Sequence, residues 1–175
     1  MPGGVATLLP FALTDLGISN TAGLGAVSIN DVFEAPGGKR YRLTQMHTVL
    51  INNATANGEC HGYLSASTTV TTQDASASID GANYPVGIGI AVAAFLESTT
   101  TTTYYGWLQI SGHHAAAQTD ASTVAGAGLR MGTVDLQLLV IATGADTRAV
   151  HACAFAMTDD VANVTTAYLN GAVIG

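Results

Sequence analysis

The feature that most restricts the fold of this chain is a series of short, strand-like segments separated by turn-forming residues. β-branched, aromatic and small apolar residues dominate the segments, and Gly, Asn and Asp stand between them. The segments do not alternate with helical patterns, and the alanine-rich pieces are interrupted by Gly, Thr and Val. We therefore predict an all-β fold of about eight strands, an antiparallel β-sandwich or small β-barrel of jelly-roll-like type.

Two turn signals predict local strand connections in the first half of the chain. The stretch APGGK, residues 35–39, separates two strand-like segments. Asn57-Gly58 suits a type I′ turn, because both residues accept positive φ, so we expect HTVLINN (47–53) to fold back onto CHGYLSA (60–66). The small and polar stretch 68–83 predicts a long surface excursion.

Five later segments complete the predicted strand set. They are YPVGIGIAVAAF (84–95), TYYGWLQISG (103–112), VDLQLLVIAT (134–143), AVHACAFAM (149–157) and VTTAYLNGAVIG (164–175). The first is apolar throughout, and the second carries β-branched and aromatic residues with large side chains on both faces, which indicates strands of a buried sheet.

The length of 175 residues predicts one β domain, residues 26–175, preceded by an arm. Residues 1–25 mix small apolar residues with Pro, Gly and Asn and show no lasting strand or helix period. We interpret them as an extended arm. Since an apolar arm gains nothing in water, we expect it to lie on the domain or on a neighbouring subunit.

Charge is scarce in this chain, and this limits the possible partners. Charged residues make up 10 %, against roughly 25 % in typical soluble domains, which predicts a homo-oligomer or larger assembly that covers much of the surface. The net charge is −7, and three of the five basic residues sit together as Lys39, Arg40 and Arg42, so we expect no nucleic-acid binding.

Neither membrane insertion nor export is predicted. The longest apolar run, residues 86–96, is shorter than the about 20 residues that a transmembrane helix needs. The amino terminus lacks the positively charged region of a secretory signal, and Pro10 interrupts its apolar run.

The chain offers few candidates for catalysis or metal binding. His113 and His114 are adjacent and would point to opposite faces of a strand, whereas His151 and Cys153 share a face but lack a second pair of ligands. Ser111 has no nucleophile elbow around it, and Asp159-Asp160 is typical of a polar turn. We predict no enzyme activity, no metal site and no cofactor.

Cysteine chemistry and the aromatic strand each leave two alternatives. Cys60 and Cys153 could be free core thiols or one bridge, and burial as small hydrophobic residues favours free thiols. Tyr105 and Trp107 share one face of the strand 103–112 and could form an exposed sugar-stacking platform or be buried in the core or a subunit interface. We favour burial.

Several motifs follow one another over about residues 37–175. They are GGKRYRLTQ, VGIGIAVAAFLESTTTTTYYGWLQISGHHAA, STVAGAGLRMG, RAVHACAFAM and the closing AYLNGAVIG. In this order they resemble the head decoration, or cement, proteins of tailed bacteriophages. The most distinctive element is the Tyr-Gly-Trp-x-Gln strand at 105–109, followed by Gly112, a turn at 124–128 and a late strand at 150–156. Two departures are a turn without its acidic residue, AGAGL, and VHACA in place of a second glycine-containing strand.

This resemblance implies a small β protein on the outer surface of the virion head, typically a homotrimer, that clamps neighbouring major capsid protein subunits. The expected partners are the major capsid protein and other copies of the chain, with neither nucleic acid nor membrane involved. The apolar arm and the dense positive charge supply candidate contacts, to which the aromatic strand is added. The candidate capsid or subunit contacts are Val5, Leu8, Leu9, Phe11, Leu13, Lys39, Arg40, Arg42, Tyr105 and Trp107.

Three alternatives to a decoration protein remain open from the sequence. A host-facing adhesin or glycan-binding head or tail appendage would use exposed aromatic residues such as Tyr63, Tyr84 or Trp107. A hydrolase or metal enzyme would use the surroundings of His113, His114 or His151. A shell-forming subunit or tail component is the third alternative, since neither length nor composition separates it from a clamp.

Overall fold

The computed structural model describes residues 29–46, 54–63, 69–71, 88–96, 99, 101–120, 122–131, 138–141 and 153–170. The strands in these residues are β1 (Val32–Ala35), β2 (Lys39–Met46), β3 (Ala54–Thr55), β4 (Cys60–Tyr63), β5 (Thr69–Thr71), β6 (Ile88–Ala91), β7 (Phe95–Leu96), β8 (Tyr105–Gln118), β9 (Gly128–Met131), β10 (Leu138–Val140), β11 (Ala154–Ala156) and β12 (Val164–Asn170). Within this part of the chain no helix is long and apolar enough to cross a membrane.

Ten of these strands form one sheet in the order β1-β2-β5-β4-β6-β8-β12-β11-β9-β10, and β3 pairs with β7 in a small second sheet. The pairings are antiparallel except for the parallel contact between β2 and β5. Strand β2 also pairs with β8, so the sheet folds back on itself. The predicted all-β, antiparallel fold is confirmed, in a sandwich-like arrangement.

Strand β8 organises the sheet, because it is long enough to pair with several strands in succession. Its first half pairs with β2 and β6, and its second half pairs with β12. Residues 105–110 are buried without a break, which explains why this segment is apolar or aromatic on both faces. The prediction of a doubly covered strand here is confirmed.

The predicted turn at residues 35–39 is also confirmed. Strands β1 and β2 form an antiparallel hairpin in which Ala35 pairs with Lys39. Gly37 and Gly38 both have positive φ, 83° and 73°, a conformation that other residues rarely adopt. The glycine pair therefore fixes the loop length and with it the register of the hairpin.

The second predicted hairpin is wrong. Asn57-Gly58 does form a turn, closed by a hydrogen bond from the Glu59 N–H to the Ala56 carbonyl. Only Gly58 has positive φ, 88°, whereas a type I′ turn requires it at both central residues. Strand β4 lies between β5 and β6, so both of its edges are occupied, and the expected partner 47–53 lies outside the described residues.

The polar stretch 68–83 is not a surface excursion throughout. Its residues 69–71 form β5, which pairs with β2 and β4, while residues 72–83 lie outside the described part of the chain. Threonine is common in strands because its branched side chain fits a pleated surface, and this preference outweighed the polarity of the segment.

Candidate protein-binding surface

The two aromatic residues proposed as contacts are part of the core. Trp107 is 1 % exposed and Tyr105 is 6 % exposed. The Trp107 ring meets Phe33 of β1 edge to face, with ring centroids 5.0 Å apart. Burial, rather than an exposed sugar-stacking platform, is what the structure shows. We therefore leave Tyr105 and Trp107 out of the contact surface, and Trp107 out of any glycan-binding face.

The basic cluster lies on β2, where two of its three members have partners within the chain. The Arg40 Nε lies 3.5 Å from the Glu34 carboxylate. The Arg42 guanidinium donates two hydrogen bonds to the Asn30 Oδ1, at 2.9 and 2.6 Å. Both arginines thus help to hold the β1–β2 hairpin together. The five arm residues, Val5, Leu8, Leu9, Phe11 and Leu13, lie outside the described residues.

The adjacent histidines face opposite sides of β8, as predicted. His114 is buried, and its Nδ1 accepts a hydrogen bond from the Ala116 N–H at 3.2 Å. Burial, followed by the nearby charges of Lys39 and His113, lowers the pKa of His114 to about 4. The neutral His114 ring therefore acts as a hydrogen-bond acceptor in the protein interior. His113 is only partly buried.

The remaining candidates for metal binding or catalysis include the two cysteines. No three His, Cys, Asp or Glu side chains of the described residues lie close enough together to hold a metal ion. Cys60 and Cys153 are free thiols, the alternative that the sequence favoured. Burial, together with the neighbouring Cys153, raises the pKa of the Cys60 thiol well above its usual value. A thiol held in its neutral form is a poor nucleophile and a poor metal ligand.

Exposed apolar side chains are concentrated in one place. Of the six large hydrophobic side chains that are exposed in the described part of the chain, five lie on the β11–β12 hairpin and on the turn beside it. These five define what we name the apolar hairpin surface: Val124, Phe155, Met157, Val161 and Tyr168. Exposed apolar groups that cluster in this way are typical of binding surfaces, whereas scattered ones need no explanation.

The inner and outer faces of the β11–β12 hairpin have an unusual distribution of side-chain size. In β11 the small residues Ala154 and Ala156 point into the core, while Phe155 between them is 43 % exposed. Phe155 pairs directly with Tyr168 of β12, which is 47 % exposed, so the two aromatic side chains share the outer face. Folding alone would favour the reverse arrangement, with the large side chains inside.

The turn at 122–126 is fastened to β11 and to the loop that follows it by three hydrogen bonds. The Ala125 N–H donates to the Asp159 Oδ1 at 2.9 Å, and the Asp160 N–H donates to the Thr123 carbonyl at 3.0 Å. The third bond runs from the Gly126 N–H to the Ala156 carbonyl, at 2.8 Å. These bonds fix Val124 beside the hairpin, so this part of the surface is ordered before any partner arrives.

The tip of the hairpin is a type I′ turn that directly follows the polar turn predicted at Asp159-Asp160. Val161 and Val164 exchange both backbone hydrogen bonds, and the central residues Ala162 and Asn163 have φ of 54° and 63°. Alanine at positive φ costs roughly 1 kcal/mol, which the pairing of β11 with β12 offsets. The turn leaves Val161 77 % exposed at the tip of the hairpin.

The tip of the apolar hairpin surface carries only negative charge. Asp120, Asp159 and Asp160 stand beside it, and neither 119–128 nor 153–164 contains a lysine, arginine or histidine. Towards its other end Tyr168 pairs with His113 of β8. The surface can therefore bind another protein by apolar contact, and its acidic tip favours a basic partner.

Comparisons of the chain with protein-family models, curated proteins and solved structures found no match.

Proposed function

We propose that this chain is a non-enzymatic structural protein of a bacteriophage virion, a decoration protein on the outer surface of the capsid. The observation that carries the proposal is the apolar hairpin surface, a rigid group of exposed Val, Phe, Met and Tyr side chains. Aromatic residues and Met are enriched at the cores of protein interfaces, and charged residues are depleted there. This composition supports a function exercised through protein–protein contact.

The resemblance in the motifs supplies the second line of support. It implies a β protein that clamps major capsid protein subunits, and such a role requires extensive surface contact rather than a catalytic centre. Many weak contacts repeated over a shell also add up to stable attachment through multivalency. The proposal therefore assigns the apolar hairpin surface to contact with neighbouring proteins of the shell.

Binding to capsids that lack the protein tests the proposal. The purified chain is mixed with such capsids and the bound fraction is measured by co-sedimentation. We expect saturable binding that the double substitution Phe155→Ser and Tyr168→Ser reduces by at least about tenfold, since central aromatic residues dominate binding energies. Thr101→Ala, at an exposed position before β8, is the matched control and should bind as the unsubstituted chain does. Absence of binding by the unsubstituted chain would overturn the decoration proposal.

The arm and Lys39 complete the proposed capsid contacts. Deletion of residues 1–20 should lower occupancy on the same capsids if the arm grips a capsid subunit, and unchanged occupancy removes the arm from the contact set. Lys39 stays in the proposal as a cationic contact, whereas Arg40 and Arg42 already interact with Glu34 and Asn30.

A glycan-binding appendage is the second candidate function, favoured by one observation. His113, Tyr168 and Phe155 form a row across β8, β12 and β11 on the outer face, with strand spacing of about 4.8 Å. Aromatic and imidazole rings in such a row can stack on sugar rings. Binding of host-surface polysaccharide that Tyr168→Ala abolishes, without any binding to capsids, would favour this function over decoration.

A further inference from the structure

We propose that the acidic tip of the apolar hairpin surface is occupied, in the assembled state, by the β1–β2 hairpin of a second copy of this chain. The inference rests on the proposed function in one respect, that the chain works in many neighbouring copies. In this contact the β1–β2 hairpin of one copy meets the acidic tip of the next.

Charge complementarity is the first argument. The tip carries Asp120, Asp159 and Asp160 and no basic residue in the two segments that form it. The β1–β2 hairpin holds three of the five basic residues of the whole chain, Lys39, Arg40 and Arg42, against one acidic residue, Glu34, which interacts with Arg40. In a chain of net charge −7, the hairpin is the densest group of positive charge available to an acidic surface.

Apolar complementarity is the second argument. Val32 on β1 is the one exposed large hydrophobic residue of the described chain that lies outside the apolar hairpin surface. It stands on the hairpin that carries the basic residues, opposite Arg42 and three residue pairs away from the pair that closes the exposed loop Pro36, Gly37 and Gly38. The hairpin thus offers a thin glycine loop beside Lys39, which can approach Val124 and Val161 closely, and, further along, an apolar side chain opposite Arg42 that extends the contact.

The position of the two regions along β8 requires a second copy. Arg40 pairs with Ser111 on β8, whereas Val164 at the base of the tip pairs with Gln118. Seven residues of strand separate these positions, a span of about 23 Å at 3.3 Å per residue. Within one chain the basic hairpin therefore cannot cover the acidic tip. Between copies the contact can close as a two-fold dimer or as a ring.

A charge-exchange experiment tests the contact. The mass of the chain is measured by sedimentation velocity or light scattering across a dilution series, at low salt and at high salt. Asp160→Lys and Lys39→Glu should each weaken self-association by at least about tenfold, and the chain that carries both substitutions should associate again. The Asp160 backbone N–H keeps its bond to Thr123 in these variants, so the tip remains folded. Thr101→Lys adds a positive charge elsewhere and is the matched control.

Every outcome either supports or overturns the proposed contact between copies. Loss in both single variants with recovery in the double variant supports the contact, as does an association that high salt weakens. A monomer at every concentration, or a double variant as weak as the single ones, overturns it. Co-sedimentation with capsids is measured in parallel for all variants. If the chain is monomeric yet binds capsids, the contact between copies is overturned and the decoration proposal stands. If the chain self-associates but does not bind capsids, the contact between copies stands and the decoration proposal is overturned.

Discussion

Two strand regions of this protein look alike in sequence and differ in what covers them. Residues 105–110 of β8 and the β11–β12 hairpin both contain aromatic residues among small and β-branched ones. In β8 both faces are covered, and Trp107 lies against Phe33. In the hairpin the alanines face the core while Phe155 and Tyr168 face outwards. Aromatic content therefore indicates a strand, whereas the strands that pack on it determine whether its aromatic side chains are buried or exposed.

The largest expected effect separates the two regions by stability. Trp107→Ala should lower the free energy of unfolding by about 3–5 kcal/mol, because it leaves a cavity in the core. Phe155→Ala should lower it by less than about 1 kcal/mol, since the side chain is already half exposed. Urea unfolding followed by circular dichroism gives both values. A loss at Phe155 as large as that at Trp107 would show that the hairpin surface is covered within the chain.

Acid should destabilise the core around His114. The folded chain holds the pKa of His114 at about 4, below its ordinary value of 6.5, so the unfolded chain binds the proton first. Stability should therefore fall as the pH drops from about 6.5 to about 4 and then level off, by up to about 3 kcal/mol. Denaturation at several pH values measures this fall, and the difference between the unsubstituted chain and His114→Gln isolates it. An identical profile for the two chains would refute the assignment.

The preorganisation of the hairpin surface can be removed without touching its apolar side chains. Asp159→Ala deletes the acceptor for the Ala125 N–H and should cost about 1 kcal/mol of stability while weakening partner binding. Asp160→Asn is the comparison, because the Asp160 contact to Thr123 is made by its backbone and should survive. Thermal unfolding and co-sedimentation with capsids report the two effects. Equal losses in both variants would contradict the fastening role of Asp159.

The smallest expected effect is a gain in stability. Ala162→Gly should stabilise the chain by about 0.5–1 kcal/mol, because glycine adopts positive φ without strain and Ala162 has φ of 54°. The same change at Ala115, an exposed position within β8, should destabilise by a similar amount. Paired melting curves test this, and destabilisation by Ala162→Gly would mean that the alanine methyl makes contacts of its own.

The sequence predicted those features that depend on local chemistry. The glycine pair at 37–38 determined the β1–β2 turn, large side chains on both faces predicted a doubly covered β8, and adjacency placed His113 and His114 on opposite faces. The features that it did not predict depend on distant neighbours. Asn57-Gly58 tolerates more than one turn type, and alternation in AVHACAFAM shows that β11 has two faces without showing which one is covered.

The candidate site was missed for the same reason. Phe155 and Tyr168 lie on strands whose period-two patterns fit either orientation, and the inward orientation of the alanines depends on packing against Leu129 and Leu169. The one signal that could have found it is the size pattern itself, since a large side chain between two alanines is compatible with a closely packed inner face. Tyr105 and Trp107 were proposed from their shared strand face and from the Tyr-Gly-Trp-x-Gln motif, neither of which shows whether that face is covered.

The pairing of β8 with β2 on one edge and with β12 on the other affects how the chain can reach this structure. Both partners are remote in sequence, one near the beginning of the domain and one near its end. Folds dominated by such non-local pairings form slowly, on a scale of milliseconds to seconds. During synthesis, β8 would leave the ribosome before β12 exists, with a long apolar edge unpaired. The chain would then be most vulnerable to aggregation before β12 has been made.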